Sequence, residues 1–421
     1  MRRGAGGGES GGDIAGFSRN VFILGLVSFC NDLSSEMVYP LFPTFLTEFL
    51  GAGAWFLGLV EGLADSVASL LNLFSGWWSD RLRRRKGLVT GGYAFSALSR
   101  GSLALAAAPW QALIGWFCNR VGKGLRTAPR DALIADSCDP AARGRAFGYH
   151  RSMDHSGALL GAAAASLLVT AFSLGYRTIF ALAMLPVFLG ILLLAWQVRE
   201  AESPACADGQ AAGELVKETA GEQPAAPLRL SLRPFDRRFK WLLAAVFLFT
   251  LGNSSDAFLL LRARRAGGFP LALLPALWGV LHVVKATVSI PGGRLSDRLG
   301  RKRVIVAGWS IYVLAYCGFA FLTGAGWIWL LFVVYGFYYL TEGVLKAYVA
   351  DVVPTRQRGS AYGIFNFVIS VTVLPASLLM GLLWDTVGAR PAFLVGAGLA
   401  LVAMLVLSVA PRGGAGCDAR A

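Results

Sequence analysis

Histidine, cysteine and acidic side chains are all scarce in this sequence, and each shortage removes a class of function. The 3 histidines among 421 residues form no paired metal-binding motif. None of the 6 cysteines has metal-ligand spacing, and Cys30, Cys118 and Cys317 lie inside apolar runs, which argues against a zinc site or a disulfide framework. No nucleophile elbow occurs, and Gly122-Lys123-Gly124 lacks the spacing of a phosphate-binding loop. Charged residues make up only 15% against 55% apolar, a balance foreign to soluble enzymes. The net charge of +14 is not a nucleic-acid signal, because most of the cations flank apolar runs.

What the sequence has in quantity is long apolar runs. A membrane span takes about 20 residues. Runs of that order fall near 21–41, 55–78, 88–108, 110–134, 147–172 and 179–198, then near 241–261, 271–292, 304–323, 327–349, 362–383 and 391–410. Twelve spans would use most of the chain, so an all-α protein embedded in a lipid bilayer is expected. The fifth run is rich in Gly, Ala and Ser, as closely packed membrane helices are. Composition changes abruptly at Arg199. Residues 199–240 are polar, carry both charge signs and read as a flexible linker. Residues 1–16 are Gly-rich with no cleavable-signal pattern, so they read as a disordered tail, and the first span serves as the insertion signal.

Two short basic turns stand at equivalent places. One is Gly293-Arg-Leu-Ser-Asp297-Arg298-Leu-Gly300-Arg301-Lys302-Arg303, between the eighth and ninth runs; the other is Gly76-Trp-Trp-Ser-Asp80-Arg81-Leu-Arg83-Arg84-Arg85-Lys86, between the second and third. Ala135-Asp136 with Arg143-Gly144 aligns with Ala350-Asp351 and Arg358-Gly359, and Ser34-Ser35-Glu36 with Ser254-Ser255-Asp256, all at nearly one offset. The chain is therefore an internal duplication. The basic turns resemble the signature loop of the major facilitator superfamily of secondary transporters, G-x-L-a-D-R-x-G-R-K. The second copy matches throughout; the first has Trp78 for the leucine and Arg83 for the second glycine. The string from Arg120 to Asp136, Arg-Val-Gly-Lys-Gly-Leu-Arg-Thr-Ala-Pro-Arg-Asp-Ala-Leu-Ile-Ala-Asp, resembles a bacterial subgroup of that superfamily.

That resemblance covers nearly the whole chain and implies two pseudo-symmetric six-helix domains, residues 17–198 and 241–410, around a cavity exposed alternately to each side. It implies a small-molecule substrate, gradient-driven transport without an enzyme activity or cofactor, and a monomer in a bacterial inner membrane. The basic turns near Arg81, Arg143, 199–240, Arg301 and Arg358 would be cytoplasmic, with both termini, including the tail 411–421, on the same side. Arg262-Ala-Arg264-Arg265 breaks this rule, so its helix end is either buried in protein or faces an external anion. By resemblance Gly76, Asp80, Arg81 and Arg84 with Asp136, and Gly293, Asp297, Arg298 and Arg301 with Asp351, form charge clamps at the cytoplasmic gate; the alternative is that they only set topology.

Chemistry inside the membrane falls to ionisable residues within the runs, since a charge facing lipid is costly. Asp32 lies near the centre of the first run, and Glu36 shares its helix face. Glu61 and Asp65 share a face of the second. Arg120, Lys123, Arg126 and Arg130 descend the fourth, and Asp154 enters the fifth. In the second half stand Asp256, His282 with Lys285, and Glu342 one turn from Lys346. Arg120 and Gly124 match the superfamily's R-x-x-Q-G motif of proton antiporters, with Lys123 for the glutamine; Arg120 is expected to pair with Asp32 or Asp154. Neighbouring carboxylates in a dry interior favour one shared proton, so Asp32 is the leading proton-coupling candidate and Glu61 the weakest; the alternative is that Glu36 and Glu61 sit near the outer surface and simply touch water. Gly157 and Gly161 carry a partial fifth-helix exporter motif, for which close helix packing is the preferred reading. The mixed charge suggests an organic ion or zwitterion such as a metabolite, siderophore or drug, with export slightly favoured. The alternative is a transport-inactive sensor or scaffold of the same fold, which would need a cytoplasmic output domain that 199–240 does not supply.

Overall fold

In a computed structural model, residues 17–82, 85–138, 142–200, 235–354 and 357–410 are described, and they are almost wholly helical. The expected tails 1–16 and 411–421, most of the linker 199–240, and Arg84 lie outside them; of Gly76, Asp80 and Arg81 only the helical backbone is described. The helices are α1 (Arg19–Val38), α2 (Ala54–Leu82), α3 (Arg85–Leu105), α4 (Pro109–Asp136), α5 (Arg143–Phe172) and α6, broken into Tyr176–Leu182 and Met184–Gln197. The second half holds α7, broken into Arg237–Gly252 and Ala257–Gly267, α8 (Leu274–Leu299), α9 (Arg301–Phe321), α10, broken into Ala325–Phe337 and Leu340–Val352, α11 (Arg358–Thr386) and α12 (Ala389–Val409).

Ten stretches among the described residues are long and apolar enough to cross a membrane. Only α3 and α4 fall short of that mark, because Arg85, Lys86, Arg100, Arg120, Lys123, Arg126 and Arg130 lie on them. Large apolar side chains such as Leu105, Trp196, Leu314 and Leu405 face outward. That arrangement is wrong for water and right for a bilayer, where the helix satisfies its own backbone.

Each half repeats one packing plan. In the first, α1 packs on α5 and α6, and α3 on α4 and α6; in the second, α7 packs on α11 and α12, and α9 on α10 and α12. The compact units do not follow the sequence halves strictly. One comprises residues 1–51, 67–226 and 270–279, the other 52–66, 227–269 and 280–421. In the first unit Leu24, Val27, Val89, Tyr93, Leu133, Ile134 and Leu194 form the apolar core at one end of the helices. In the second, Phe249 stacks on Trp309 and Tyr312 on Tyr316, and Phe393 stands edge-on to Tyr316, forming an aromatic core.

The irregular elements have local causes. After Val38 the chain tightens and then widens over Tyr39–Phe49, where Pro40 and Pro43 each lack an amide donor. The break in α7 falls on Asn253-Ser254-Ser255-Asp256, short polar side chains that compete for backbone groups. Its freed groups are met: the Tyr312 hydroxyl donates to the Gly252 carbonyl at 2.8 Å, and the Ser255 amide donates to Ser377 Oγ at 3.3 Å. In α10 the Thr341 hydroxyl returns to the Tyr338 carbonyl at 2.8 Å. The anomalous arginine cluster proves buried at its first member: Arg262 donates to the carbonyls of Phe319 at 2.7 Å and Ala320 at 3.2 Å. It thus meets the negative end of α9, a favourable place for a cation.

Helix α5 lies against α1 because Gly157 and Gly161 have no side chains. A Cβ at either position would stand inside van der Waals contact with the carbonyl oxygens of Phe29 and Leu33, which are fixed backbone. Gly161→Ala is therefore expected to lower stability by about 1–3 kcal/mol. Gly148→Ala on the same helix meets nothing within 4 Å and is expected to gain about 0.5–1 kcal/mol through reduced chain entropy. Thermal unfolding of the two purified variants beside the parent checks both signs.

Candidate functional sites within the two units

The first unit holds a polar cluster around the middle of α1. Its centre is Arg100 of α3, a residue that sequence reasoning passes over although it is a lone cation in the third apolar run. It is 1% exposed. Its guanidinium donates to the Asn31 carbonyl at 3.2 Å and Asn31 Oδ1 at 2.6 Å, and to the hydroxyls of Ser34 at 2.7 Å and Ser35 at 3.0 Å. The Asn31 amide then donates to Asp32 Oδ1 at 2.8 Å. Arg100 therefore reaches Asp32 through one side-chain amide, without direct contact.

Around this axis the other predicted residues find varied partners. Glu36 accepts the Trp278 indole N–H at 2.5 Å, and the Trp278 ring lies 4.7 Å from that of Tyr39. The Arg120 guanidinium lies over the rings of Trp116 at 5.2 Å and Tyr39 at 5.9 Å. Arg126, buried, donates to Ser96 Oγ at 2.7 Å and covers the Tyr93 ring at 4.3 Å. The two carboxylates named for Arg120 are held by other groups. Asp32 takes the Asn31 amide, while Asp154 takes the Ser28 hydroxyl and faces His150 Nδ1 at 3.5 Å. Lys123 is exposed; Asp65, which belongs to the second unit, is half-buried.

The second unit holds a tighter constellation. Asp256 stands where α7 breaks. Its Oδ1 accepts the Tyr335 hydroxyl at 2.5 Å; its Oδ2 accepts the Tyr339 hydroxyl at 2.8 Å and the Lys285 ammonium at 3.0 Å. The ammonium also lies 3.8 Å from the centre of the Tyr339 ring. His282 sits one turn before Lys285 and is half-buried, whereas Glu342 and Lys346 are exposed. The tyrosines read in the sequence as fillers of an apolar run; the Tyr335-x-x-x-Tyr339 spacing, which puts both on one face, was the available signal. For Glu61 the alternative of a water-touching surface carboxylate does not hold. It is fully buried and accepts the Ser255 hydroxyl at 2.9 Å.

The duplicated serines show how the repeats diverged. Ser34 of α1 accepts from Arg100 of α3, whereas Ser254 of α7 pairs with the Tyr316 hydroxyl of α9 at 3.3 Å. One unit thus buries a charge where the other buries a phenol. At the ends that carry the basic turns, Arg301 bridges Asp297 at 2.6 Å and Asp351 at 3.3 Å, and Arg85 pairs with Asp136. Arg298 is exposed. The amides of Arg85 and Lys86 donate to the Glu200 carboxylate, an anion at the start of α3.

The sequence model of the Major Facilitator Superfamily matches residues 24–372 and, in a second overlapping match, 283–416. An uncharacterized MFS-type transporter of Methanocaldococcus jannaschii is 35% identical over 396 residues, spanning 93% of this chain and 94% of its own. The multidrug resistance protein MdtH of Photorhabdus laumondii is 33% identical over 133 residues, 32% of this chain and 33% of its own. Among solved structures, the nucleoside transporter NupG superposes with a TM-score of 0.77 at 13% identity, covering 93% of this chain and 100% of that one, which shows a common fold. The chain belongs to the Major Facilitator Superfamily and is a multi-pass membrane protein.

Replacing Arg100 tests the first cluster. Arg100→Ala strands the acceptors of Asn31, Ser34 and Ser35 in a dry interior, at about 1–3 kcal/mol for each acceptor left unmade. Stability is expected to fall by at least about 2 kcal/mol. Arg100→Lys should recover under half of that, because an ammonium cannot span the fork of acceptors. Thermal unfolding of the three proteins in one detergent gives the order.

Proposed function

We propose that the chain moves a small organic ion or zwitterion across the membrane by alternating access, coupled to protons, with export the favoured direction. The observation that carries this reading is the Arg100–Asn31–Asp32 chain. A carboxylate inside a span is approached by a cation through a neutral amide. Its protonation state is thereby left to the local field and to passing ligands, and is not fixed by a direct ion pair. Arg120, Lys123 and Arg126 on α4 supply the positive charge that such a carboxylate would exchange with when it loses or gains a proton. Glu36 and Asp154 are the secondary acidic candidates of that unit, and Asp65 is a separate candidate in the other.

The Arg301 bridge and the Arg85–Asp136 pair fit the role of inner charge clamps, with Asp80, Arg81 and Arg84 as the remaining members of the first. In this reading residues 199–240 and both tails are cytoplasmic, the two six-helix domains span 17–198 and 241–410, and the protein works as a monomer in a bacterial inner membrane. The string from Arg120 to Asp136 supports a place in the bacterial subgroup it resembles. Support for export comes from the partial likeness to a relative named for multidrug resistance.

Small molecules in cells and medium should be compared across a null strain, one overproducing the chain, and one overproducing Arg120→Ala. A compound is expected to accumulate in the medium only with the unaltered protein. Accumulation inside the cells would reverse the direction, and no difference for any compound would remove the transport reading. Once a compound is known, Asp32→Asn should transport it with a rate that no longer changes across neutral pH. An unchanged pH profile in that variant would exclude proton coupling through Asp32.

A further inference from the structure

We infer that Asp256, Lys285, Tyr335 and Tyr339 form a recognition site for an organic ammonium group, held closed in this structure by the protein's own lysine. The site rests on the transport reading for its purpose, but its chemistry stands separately.

Three features of the geometry point to a cation. Both tyrosine hydroxyls direct their protons at Asp256, one to each carboxylate oxygen, at 2.5 and 2.8 Å. Those donors keep the carboxylate oriented and use two of its roughly four lone-pair positions. The ammonium of Lys285 takes another, on the side of the Tyr339 ring. It lies 3.0 Å from Oδ2 and 3.8 Å from the ring centre. A carboxylate beneath and an aromatic face beside is the environment that selects an ammonium over other charged groups, since the ring presents its negative face to the cation. An anion brought to Lys285 would instead meet Asp256 at close range and the negative face of Tyr339, with the hydroxyl donors already committed. Anion recognition is therefore the poorer fit.

The lysine is also the kind of occupant that can be displaced. Its ammonium ends a flexible four-carbon stem, so it can leave without moving the backbone of α8. The pair is not sealed: the Lys285 side chain keeps 17% of its surface accessible and Asp256 keeps 14%. By contrast Tyr335, behind the carboxylate, is fully buried. The broken turns of α7 and α10, which carry Asp256 and Tyr339, are held by their own bonds, Ser255 to Glu61 among them, so the acceptor stays in place when the lysine swings out. Lys285 is thus a tethered competitor. A ligand amine must take its position, and the lysine returns when the ligand leaves, so the carboxylate is never left uncompensated.

The test uses the full-length protein in lipid nanodiscs. Acetylation of Lys285 by a water-soluble acetylating reagent is read by peptide mass spectrometry, with N,N-dimethyl-2-phenylethylammonium, a tertiary ammonium that the reagent cannot acetylate, or with the anionic counterpart 3-phenylpropanoate. Displacement by the ammonium should raise the Lys285 acetylation rate about tenfold at saturation, as expected when an internal competitor holds roughly nine-tenths of the population. Other lysines serve as references and should not change. No increase, or an increase with the anion instead, overturns the inference.

The second measurement is rescue. In Lys285→Ala the melting temperature should rise with n-propylammonium, which supplies the atoms removed, and not with sodium butanoate or sodium chloride at equal ionic strength. In Lys285→Ala with Asp256→Asn that rise should vanish. Equal responses to all three salts, or a rise that survives in the double variant, would overturn the inference. Neither assay requires transport, so a protein that binds the ammonium and moves nothing refutes the transport reading alone. A protein that transports yet shows neither effect refutes this site alone.

Discussion

Inside a bilayer there is no water to take up a charge or a free hydrogen-bonding group, and the polar features of this protein follow from that. Three buried ions show three solutions. Arg100 is met by four neutral acceptors on one face of α1. Arg262 is met by the carbonyls at the end of α9. Asp256 is met by two phenols and an ammonium. Only the last is an ion pair. Neutral acceptors hold Arg100 and Arg262 in place without a direct contact to a carboxylate.

The duplication explains where those solutions lie. Each half uses the first and third helices of its repeat as a polar seam: Ser34 and Ser35 accept from Arg100 in one, and Ser254 pairs with the Tyr316 hydroxyl in the other. The halves then part company. In α1 the serines stay within a continuous helix and receive a guanidinium. In α7 the chain opens at the equivalent serines and presents Asp256. Opening a helix in the membrane is tolerated only where protein groups take over its freed amides and carbonyls. Tyr312 and Ser377 do so here. The break is thus supported from α9 and α11, two helices whose own sequences give no hint of that duty.

How much of this was legible in the residues depended on the kind of signal. Apolar runs and basic turns are local and repetitive, so the helices and the duplication were readable, as was the superfamily. Asp32, Asp256 and Lys285 were legible as candidates because charge stands out against an apolar background. Their partners were not. Arg100 obeys the same rule but had no patterned neighbour to draw attention, and Asn31, Ser34 and Ser35 only become acceptors once α3 lies against α1. The tyrosines around Asp256 are apolar enough to pass as span material, and their hydroxyls acquire meaning only through a carboxylate placed by a distant helix break. Glu61 shows the converse. Its position near one end of a run suggested water, yet α2 carries it into a fully buried contact with Ser255. What escaped the sequence is pairing between helices, which has no local signature.

The polarity of α3 and α4 has a consequence for how the protein is made. A lysine or arginine at the centre of a lone helix costs about 2.5–3.5 kcal/mol on the insertion scale. With Arg100 in the middle of α3, and Arg120, Lys123 and Arg126 along α4, neither segment partitions readily into lipid alone. The acceptors for Arg100 lie on α1, which is synthesised first and is strongly apolar. Pairing with α1 offsets part of the cost of placing Arg100 in lipid, so the packing of α3 against α1 and its entry into the membrane are energetically linked.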